Sequence, residues 1–551
     1  MYHIMLASIG AKKAEKKSRY ELGGKYTENL FSCYALWKLL EENERPGKIL
    51  FLLTPTAKES AFSTIEAEAK RQGIEIGCVD LPGEDTTDDS AEFLKRVAEA
   101  IPRGSQLTID VTQGLRHHAF LFYALAVYLG EFRETEILGA WYCRYETGTE
   151  SKPFIDLMPV LDLYRWFHAL GVLRETGSLN ALSKLVNCKN KKNPFEMFSS
   201  LFLTGMPIEA GVWATTLVER IESDSELLPE MPLIDEIKRK IIDELNLFSG
   251  GKISKRWKTS LPLTDEELHR QAAYIDKYLA TEQLNLAFGL MREWVINKIL
   301  LTNNKSEWLN HRGGRQPIEH MLGGLRKVFE TKSDPVQGLL SDEHSKWAEL
   351  WDQLTKVRNM LQHHGMKLDE FKTDNGSIKY LRRTWPELQK WPIPPSFGGG
   401  AGKLLISPLG QSPGVFYSAL KIVQPDRCMV ICSNETRESI TKACEQAEWS
   451  GSIEYLVMEN PHTGFDEFKK LKRKASIWLF EADEIHAGLT GGTSLMGALV
   501  GELAYLAGRN YQRDVRKFVL IDKRSPVKQR ENPWEIGEIF YLENSRDKEA
   551  Q

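Results

Sequence analysis

Two stretches of this 551-residue chain, almost the whole molecule apart, are written on one plan. A strand-and-turn plan used twice leaves few folds open. Near the start, Met5-Leu6-Ala7-Ser8-Ile9-Gly10 is an apolar run closing on small residues, and Leu404-Leu405-Ile406-Ser407-Pro408-Leu409-Gly410 echoes it. The run from Ile49 to Ser60 is echoed by Cys428 to Ser439. The run Ile109-Asp110-Val111-Thr112-Gln113-Gly114-Leu115-Arg116 is answered by Ile485 to Ser494, and a long apolar helix pattern follows each. Strand patterns at Tyr2–Ala7, Lys48–Leu53 and Leu107–Val111 alternate with helical ones at Tyr26–Leu40 and Ser90–Ala100. This predicts a parallel α/β sheet of Rossmann type at each end of the chain.

In such sheets ligands bind beyond the carboxyl ends of the strands, where small and hydroxyl residues let backbone amides approach phosphate. That rule collects Ser8, Gly10, Thr54, Thr56, Thr112, Gln113, Gly114 and Arg116 around a first pocket. It collects Ser407, Gly410, Ser433, Asn434, Thr490, Gly491, Gly492, Thr493 and Ser494 around a second. Any one of these residues also serves as a helix cap or turn, so the coincidence at three strand ends carries the argument. The cations Lys12, Lys13, Lys16, Lys17 and Arg19 follow the first strand and read mostly as a solvated loop, with phosphate binding as the other use.

Residues 161–395 read as helical. Within them, Trp347, Leu350, Leu354, Val357 and Leu361 recur at the spacing of a one-sided amphipathic helix, Ser345 to His363, ending before Gly365. Arg358 falls beside that stripe, and the spelling is Arg358-Asn359-x-x-x-His363. A guanidinium that holds phosphate oxygens, near an imidazole that moves a proton close to neutrality, suits cleavage of RNA by its own 2′-hydroxyl. On an ideal helix Arg358 and His363 stand about 140° apart. Their convergence calls for a distorted helix end and a second copy of the chain. Arg315 to His320 repeats the bare spacing, but Pro317 interrupts it and neither the Asn nor the Gly follows, so it reads as a chance match. A long amphipathic pattern over Asp265–Leu301 is expected to pack on this helix, with Arg292 and Glu293 read as a surface ion pair or, as the other use, as support for the active site, and Asn303–Arg315 reads as a loop with RNA contact as a further use. Pro392 to Gly402 has linker composition and cannot continue a helix.

The Arg-Asn-x3-His spelling near a helix end resembles the HEPN ribonucleases. Asp110 to Arg116 and Leu489 to Ser494 look like the strand-end motifs of CARF domains, sensors of cyclic oligoadenylate in type III CRISPR defence. The resemblance implies a multidomain α/β plus all-α protein, with two Rossmann-like domains of CARF type flanking a helical HEPN domain. Its parts would be a CARF-like sensor at 1–160, the HEPN domain at 161–395, a linker at 396–402 and a second CARF-like domain at 403–551. The family further implies single-stranded RNA as substrate, 2′,3′-cyclic phosphate ends, a homodimer, and catalysis by Arg358, Asn359 and His363 without metal or cofactor. Cyclic tetra-adenylate, then the hexa-adenylate, is the activator expected. Familiar members stop after the HEPN domain, so the third domain departs from the pattern. It is expected to sense, to dimerise, or to cut the activator ring, with Thr490, Thr493 and Ser494 lining the pocket. The alternative is a nucleotide-binding regulator or scaffold without nuclease activity.

A net charge of −4 argues against bulk affinity for nucleic acid, so any RNA contact is local. The seven cysteines are scattered, without zinc-ligand spacing, and read as buried free thiols. No signal segment or membrane span is expected, which suits a cytoplasmic protein. Neither end carries Gly-x-Gly-x-x-Gly after its first strand, which counts against a dinucleotide oxidoreductase.

Overall fold

The architecture comes from a computed structural model that describes residues 2–10, 16–82, 89–145, 150–188, 193–251, 261–303, 308–362 and 376–542. Two compact units divide the chain: residues 1–203 with 216–246, and residues 204–215 with 247–551. The residues expected to form a helical middle, 161–395, fall partly in each unit.

In the first unit, strands β1 (His3–Ser8), β2 (Ser18–Leu22), β3 (Lys25–Asn29), β4 (Lys48–Leu53), β5 (Glu75–Asp80), β6 (Gln106–Asp110), β7 (Glu136–Cys143) and β8 (Lys152–Asp156) form one sheet. Its order is β3-β2-β8-β7-β6-β1-β4-β5. Strands β5, β4, β1, β6 and β7 run parallel, and β8 closes antiparallel on β7. Along β1, Ile4 and Leu6 face one hydrophobic cluster while Met5 and Ala7 face another. That alternation buries both faces, which is why the central strands read as unbroken apolar runs. The expected helix over Tyr26–Leu40 is instead β3 followed by a helix at Ser32–Leu39. Gly23 and Gly24, at φ 56° and 79°, make a two-residue hairpin turn that pairs β2 with β3. Arg19 lies on β2 with its guanidinium 4.4 Å over the Tyr26 ring, while Lys16 and Lys17 are exposed and Lys12 and Lys13 fall outside the described residues.

In the second unit, β9 (Lys403–Pro408), β10 (Arg427–Cys432), β11 (Ser452–Val457), β12 (Glu484–Gly488), β13 (Asp514–Ile521) and β14 (Glu538–Tyr541) are ordered β11-β10-β9-β12-β13-β14. The first five are parallel and β14 is antiparallel to β13. This is the order of β5-β4-β1-β6-β7-β8, so the repeat read from sequence is a repeat of topology. One face of this sheet shares a single core with the helices that precede it: Leu404, Ile406 and Met429 join Trp294, Leu325, Trp347 and Trp385. Residues 396–402 are a packed joint rather than a free tether. Phe397 is buried against Phe480 at 5.0 Å, and the amides of Gly400 and Gly402 donate to the Asp483 carboxylate at 2.7 and 2.9 Å. Those two donors hold the Asp483 carboxyl below its ordinary pKa.

The long pattern over Asp265–Leu301 is two helices, Asp265–Ala280 and Leu284–Thr302, broken where Glu282 takes φ 57°. The loop expected at Asn303–Arg315 ends in a single wide helical turn, His311–Arg315. All seven cysteines are free; Cys78 is exposed and Cys188 half-buried, and the other five are buried as expected. No helix among the described residues is long and apolar enough to cross a membrane.

Candidate functional site

At the first sheet's switch point, where chain order reverses between β1 and β6, the two strand-end loops nearly touch. A side chain on Gly10 would come 4.0 Å from the Gly114 amide nitrogen. Gly114 sits at φ 107°, and a Cβ there would lie 2.0 Å from Ser8 Oγ and 3.2 Å from His118 Nδ1. Glycine is required at this position on both counts. Beneath it, Ser8 Oγ and His118 Nδ1 are hydrogen-bonded at 2.8 Å, both buried. Burial, with His117 alongside, pulls the His118 pKa down to about 4, so the imidazole is neutral near pH 7. One strand end further in, Asp110 is fully buried and accepts from Ser32 Oγ at 2.7 Å and from the Thr112 amide at 2.9 Å. Burial raises its pKa. Thr112 Oγ1 accepts from the Cys143 amide at 2.8 Å and pins the loop to β7.

The structure thus brings Ser8, Gly10, Thr112 and Gly114 together, with Gln113 half-buried and Arg116 exposed on the same loop. Thr54 caps the helix Pro55–Gln72 by accepting from the Ala57 amide at 3.3 Å, and Thr56 is exposed in its first turn. His118 and Ser32 went unread in the sequence. The signal for His118 was a histidine opening an otherwise apolar helix.

The second sheet repeats the frame with different chemistry. Thr490 Oγ1 accepts from the Leu520 amide at 2.9 Å, as Thr112 does from Cys143. A Cβ on Gly410 would meet Gly492 Cα at 2.8 Å, as Gly10 approaches Gly114. Strand register sets Pro408 opposite Ile431 just as Ser8 sits opposite Leu52, so Ser8 corresponds to Pro408 and not to Ser407. A Cβ on Gly492 would meet Pro408 Cβ at 3.3 Å and Met496 Sδ at 2.6 Å. Proline and methionine therefore stand where serine and histidine stand in the first sheet. Ser407 is buried, with Oγ donating to the Pro408 carbonyl at 3.3 Å. Ser433 forms a reciprocal cap with Thr436, and Thr493 caps the helix Ser494–Arg509 through the Met496 amide. Asn434 and Ser494 are exposed, and Gly491 has φ 105°.

The central helix runs Asp342–Gln362, with Trp347, Leu350, Leu354 and Val357 buried and Leu361 packed at the edge of the core. Arg358 and Asn359 are half-buried on its last turns, and among the described residues neither side chain has a hydrogen-bond or ion-pair partner. His363 and Gly365 lie outside the described residues. Arg358 lies one turn before Gln362 on the same face of the helix.

Arg292 and Glu293 form the expected ion pair, at 2.8 Å with Glu293 reaching the surface, and the pair is part of a longer polar chain. Arg292 lies 4.9 Å over the Trp351 ring and pairs with Glu293 and Glu319. Glu293 pairs with Arg315, whose guanidinium also donates to Asn297 Oδ1 at 2.7 Å. Asn297 Nδ2 donates to Gln271 Oε1 at 2.8 Å, and Gln271 in turn donates to Glu267 at 2.7 Å. Arg270 pairs with Glu267 at 2.7 Å, so three guanidiniums face three carboxylates in this polar chain and Arg315 is spent on structure. Its legible trace was Glu293 and Asn297, one turn apart on a helix otherwise rich in apolar residues. An open cleft of about 520 Å³ borders this network and is lined on one side by Gln362. Among the described residues no cluster of three or more His, Cys, Asp or Glu could hold a metal ion.

No family model matches the chain, and no curated protein matches it. Among solved structures, a type III CRISPR defence DNA nuclease activated by cyclic oligoadenylate is similar at 12% identity and a TM-score of 0.18. The match covers 94% of this chain and 65% of that one, so the chain spans just under two thirds of that protein's length. A superposition of that quality does not establish a common fold, and the site is read from its own residues.

Proposed function

We propose that the protein is an endoribonuclease switched by a cyclic oligoadenylate, which cuts single-stranded RNA without metal. One observation carries the reading: Arg358 is a half-buried guanidinium without a counter-ion among the described residues, on the last turns of a helix whose other face is fully packed. A guanidinium that reaches the surface at a helix end can take an anion, and a scissile phosphate is such an anion. In this reading His363 takes the proton of the ribose 2′-hydroxyl or delivers one to the departing 5′-oxygen. The 2′-oxygen bonds to phosphorus as the bond to the 5′-oxygen breaks, leaving a 2′,3′-cyclic phosphate and a 5′-hydroxyl. Arg358 stabilises the charge that builds on the phosphate, and Asn359 orients it.

The first sheet is the sensor in this reading. Gly10 and Gly114 let two strand-end loops approach each other at the switch point, with Arg116 exposed beside them, and backbone amides with a nearby cation suit an anionic ligand. Cyclic tetra-adenylate is the favoured ring and the hexa-adenylate the next. A ring of even symmetry calls for two sensors about a two-fold axis. The helix His118–Arg133 offers a face for that pairing: Phe120, Tyr128 and Phe132 are exposed at four- and eight-residue spacing, with Phe132 stacked on Tyr128 at 5.4 Å. The second sheet supports the helical core, and cutting of the activator ring in its pocket is the further role to test on the full chain.

The deciding assay is cleavage of labelled RNA by the purified protein with a panel of cyclic oligoadenylates and no added metal. Cutting should depend on one ring size, and Arg358→Ala or His363→Ala should lower it by about 10² to 10⁴-fold while ring binding persists. Undiminished cutting by both variants would place the chemistry elsewhere. Ring binding with no cutting by the unaltered protein would leave a nucleotide-binding regulator.

A further inference from the structure

We propose that the cleft beside the Arg358 helix seats a base of the RNA next to the cut, and that the base it takes is adenine. The inference rests on the ribonuclease reading and deepens it. The cleft, about 520 Å³, lies wholly in the second unit, between the helix Leu284–Thr302 and the last residue of the helix Asp342–Gln362. That volume is in the range of pockets that take a small organic ligand.

Its free chemistry is narrow. Glu293, Asn297 and Arg315 reach the cleft but are consumed by one another. Asn285 and Gln362 are the exposed polar residues of the lining that keep side-chain amides without a partner among the described residues. The rest of the lining is mostly apolar, with Leu286, Leu290 and Trp308 in it, while Thr204 and Glu209 are engaged elsewhere. No atom lies within 4 Å of a Cβ built on Gly289, so the helix backbone there faces open space. A ligand suited to such a site is flat, apolar on its faces, and carries donors and acceptors at its edge without net charge. A nucleobase has that form, and an Asn or Gln amide complements the adjacent donor and acceptor of adenine. Along the helix axis Arg358 precedes Gln362 by about 6 Å, a separation comparable with that of a nucleotide's phosphate from its base. A phosphate on Arg358 and a base against Gln362 can therefore belong to one nucleotide.

The test uses the full-length protein, with cyclic tetra- and hexa-adenylate present in turn, and ten-nucleotide oligomers of A, C or U that carry 2′-O-methyl ribose and so cannot be cut, read by fluorescence anisotropy, with cleavage of the unmodified RNAs in parallel. The A oligomer should bind about 10-fold tighter than C or U. Asn285→Ala with Gln362→Ala, both at exposed positions, should reduce that preference to less than about 2-fold. Gly289→Leu, favourable for the helix and directed into the cleft, should weaken binding of the A oligomer by about 10-fold. Cutting that continues with binding and cut positions indifferent to all three changes overturns the cleft and spares the ribonuclease. An A preference that the variants erase, in a protein that cuts nothing, keeps the cleft and overturns the ribonuclease. A protein that neither binds nor cuts overturns both.

Discussion

The two α/β domains are one design executed with two chemistries. Strand order, the threonine that ties the fourth parallel loop to its neighbour, and the two facing glycines are common to both. The floor of the switch point differs: Ser8 and His118 are hydrogen-bonded beneath Gly114 in one, and Pro408 and Met496 lie beneath Gly492 in the other. So does the outer helix. Register places Ala498, Glu502, Leu506 and Asn510 where the first domain has Phe120, Ala124, Tyr128 and Phe132. Glu502 pairs with Lys472, and near Asn510 the helical core has closed in, with Lys327 donating to the Arg509 carbonyl at 2.9 Å. A polar floor and an uncovered aromatic stripe are what the proposed sensor role asks of the first domain, a pocket for a ligand and a face for a second copy. The same frame with an apolar floor and a covered helix end is equipped to brace its neighbours.

The largest effect that would break this contrast is on assembly. Phe120→Asp with Phe132→Asp should raise the dimer dissociation constant by at least about 10³-fold, because a two-fold interface counts each lost aromatic twice. Ala498→Asp with Asn510→Asp in the other domain should leave it unchanged. Sedimentation velocity over a concentration series reads both, and equal behaviour of the two pairs would remove the distinction.

Next in size is a pH effect. The folded-state pKa of His118 is depressed to about 4, below the unfolded value near 6.5. The unfolded chain therefore binds the extra proton across that window, and stability falls as pH drops from about 6.5 toward 4. For a side chain this buried the loss amounts to about 3 kcal/mol. His118→Met should flatten that part of the profile in chemical denaturation. The slope from His486 in the other domain, also depressed by burial beside Glu484, should remain. An unchanged profile would mean that His118 is solvated in the folded protein.

How much of this was legible in the sequence divides along physical lines. The repeated topology was, because buried parallel strands need apolar runs and their carboxyl ends need small residues. The stripe on the central helix was legible for the same reason. The hairpin β2-β3 is masked because Tyr26 to Leu40 mimics a helix period, although Gly23-Gly24 marks its turn. Glu293 and Asn297, polar residues one turn apart on an apolar helix, hint at the Arg315 network, but their partner lies beyond that helix and no local pattern names it. The Ser8–His118 bond joins residues 110 positions apart, which no local pattern encodes. Matching Ser8 with Ser407 was the natural alignment of letters, and only strand register shows Pro408 in that place.

The smallest effect is the most specific to the contrast. Exchanging the floors should move activator affinity in one domain only. In the first domain, Ser8→Ala with His118→Met removes the hydrogen bond beneath Gly114 while keeping the side chains close in size. Neither residue is exposed, so the pair acts by holding the Gly114 loop, not by touching ligand. A net hydrogen bond is worth about 1 kcal/mol, and a loosened loop should therefore weaken ring binding by about 10-fold or less. Pro408→Ser with Met496→His installs the same pair in the second domain. It should leave ring affinity unchanged in calorimetry, because nothing there yet depends on a fixed loop. Should the second exchange weaken binding as much as the first, both switch points hold the ring, and the difference in their floors would concern stability alone.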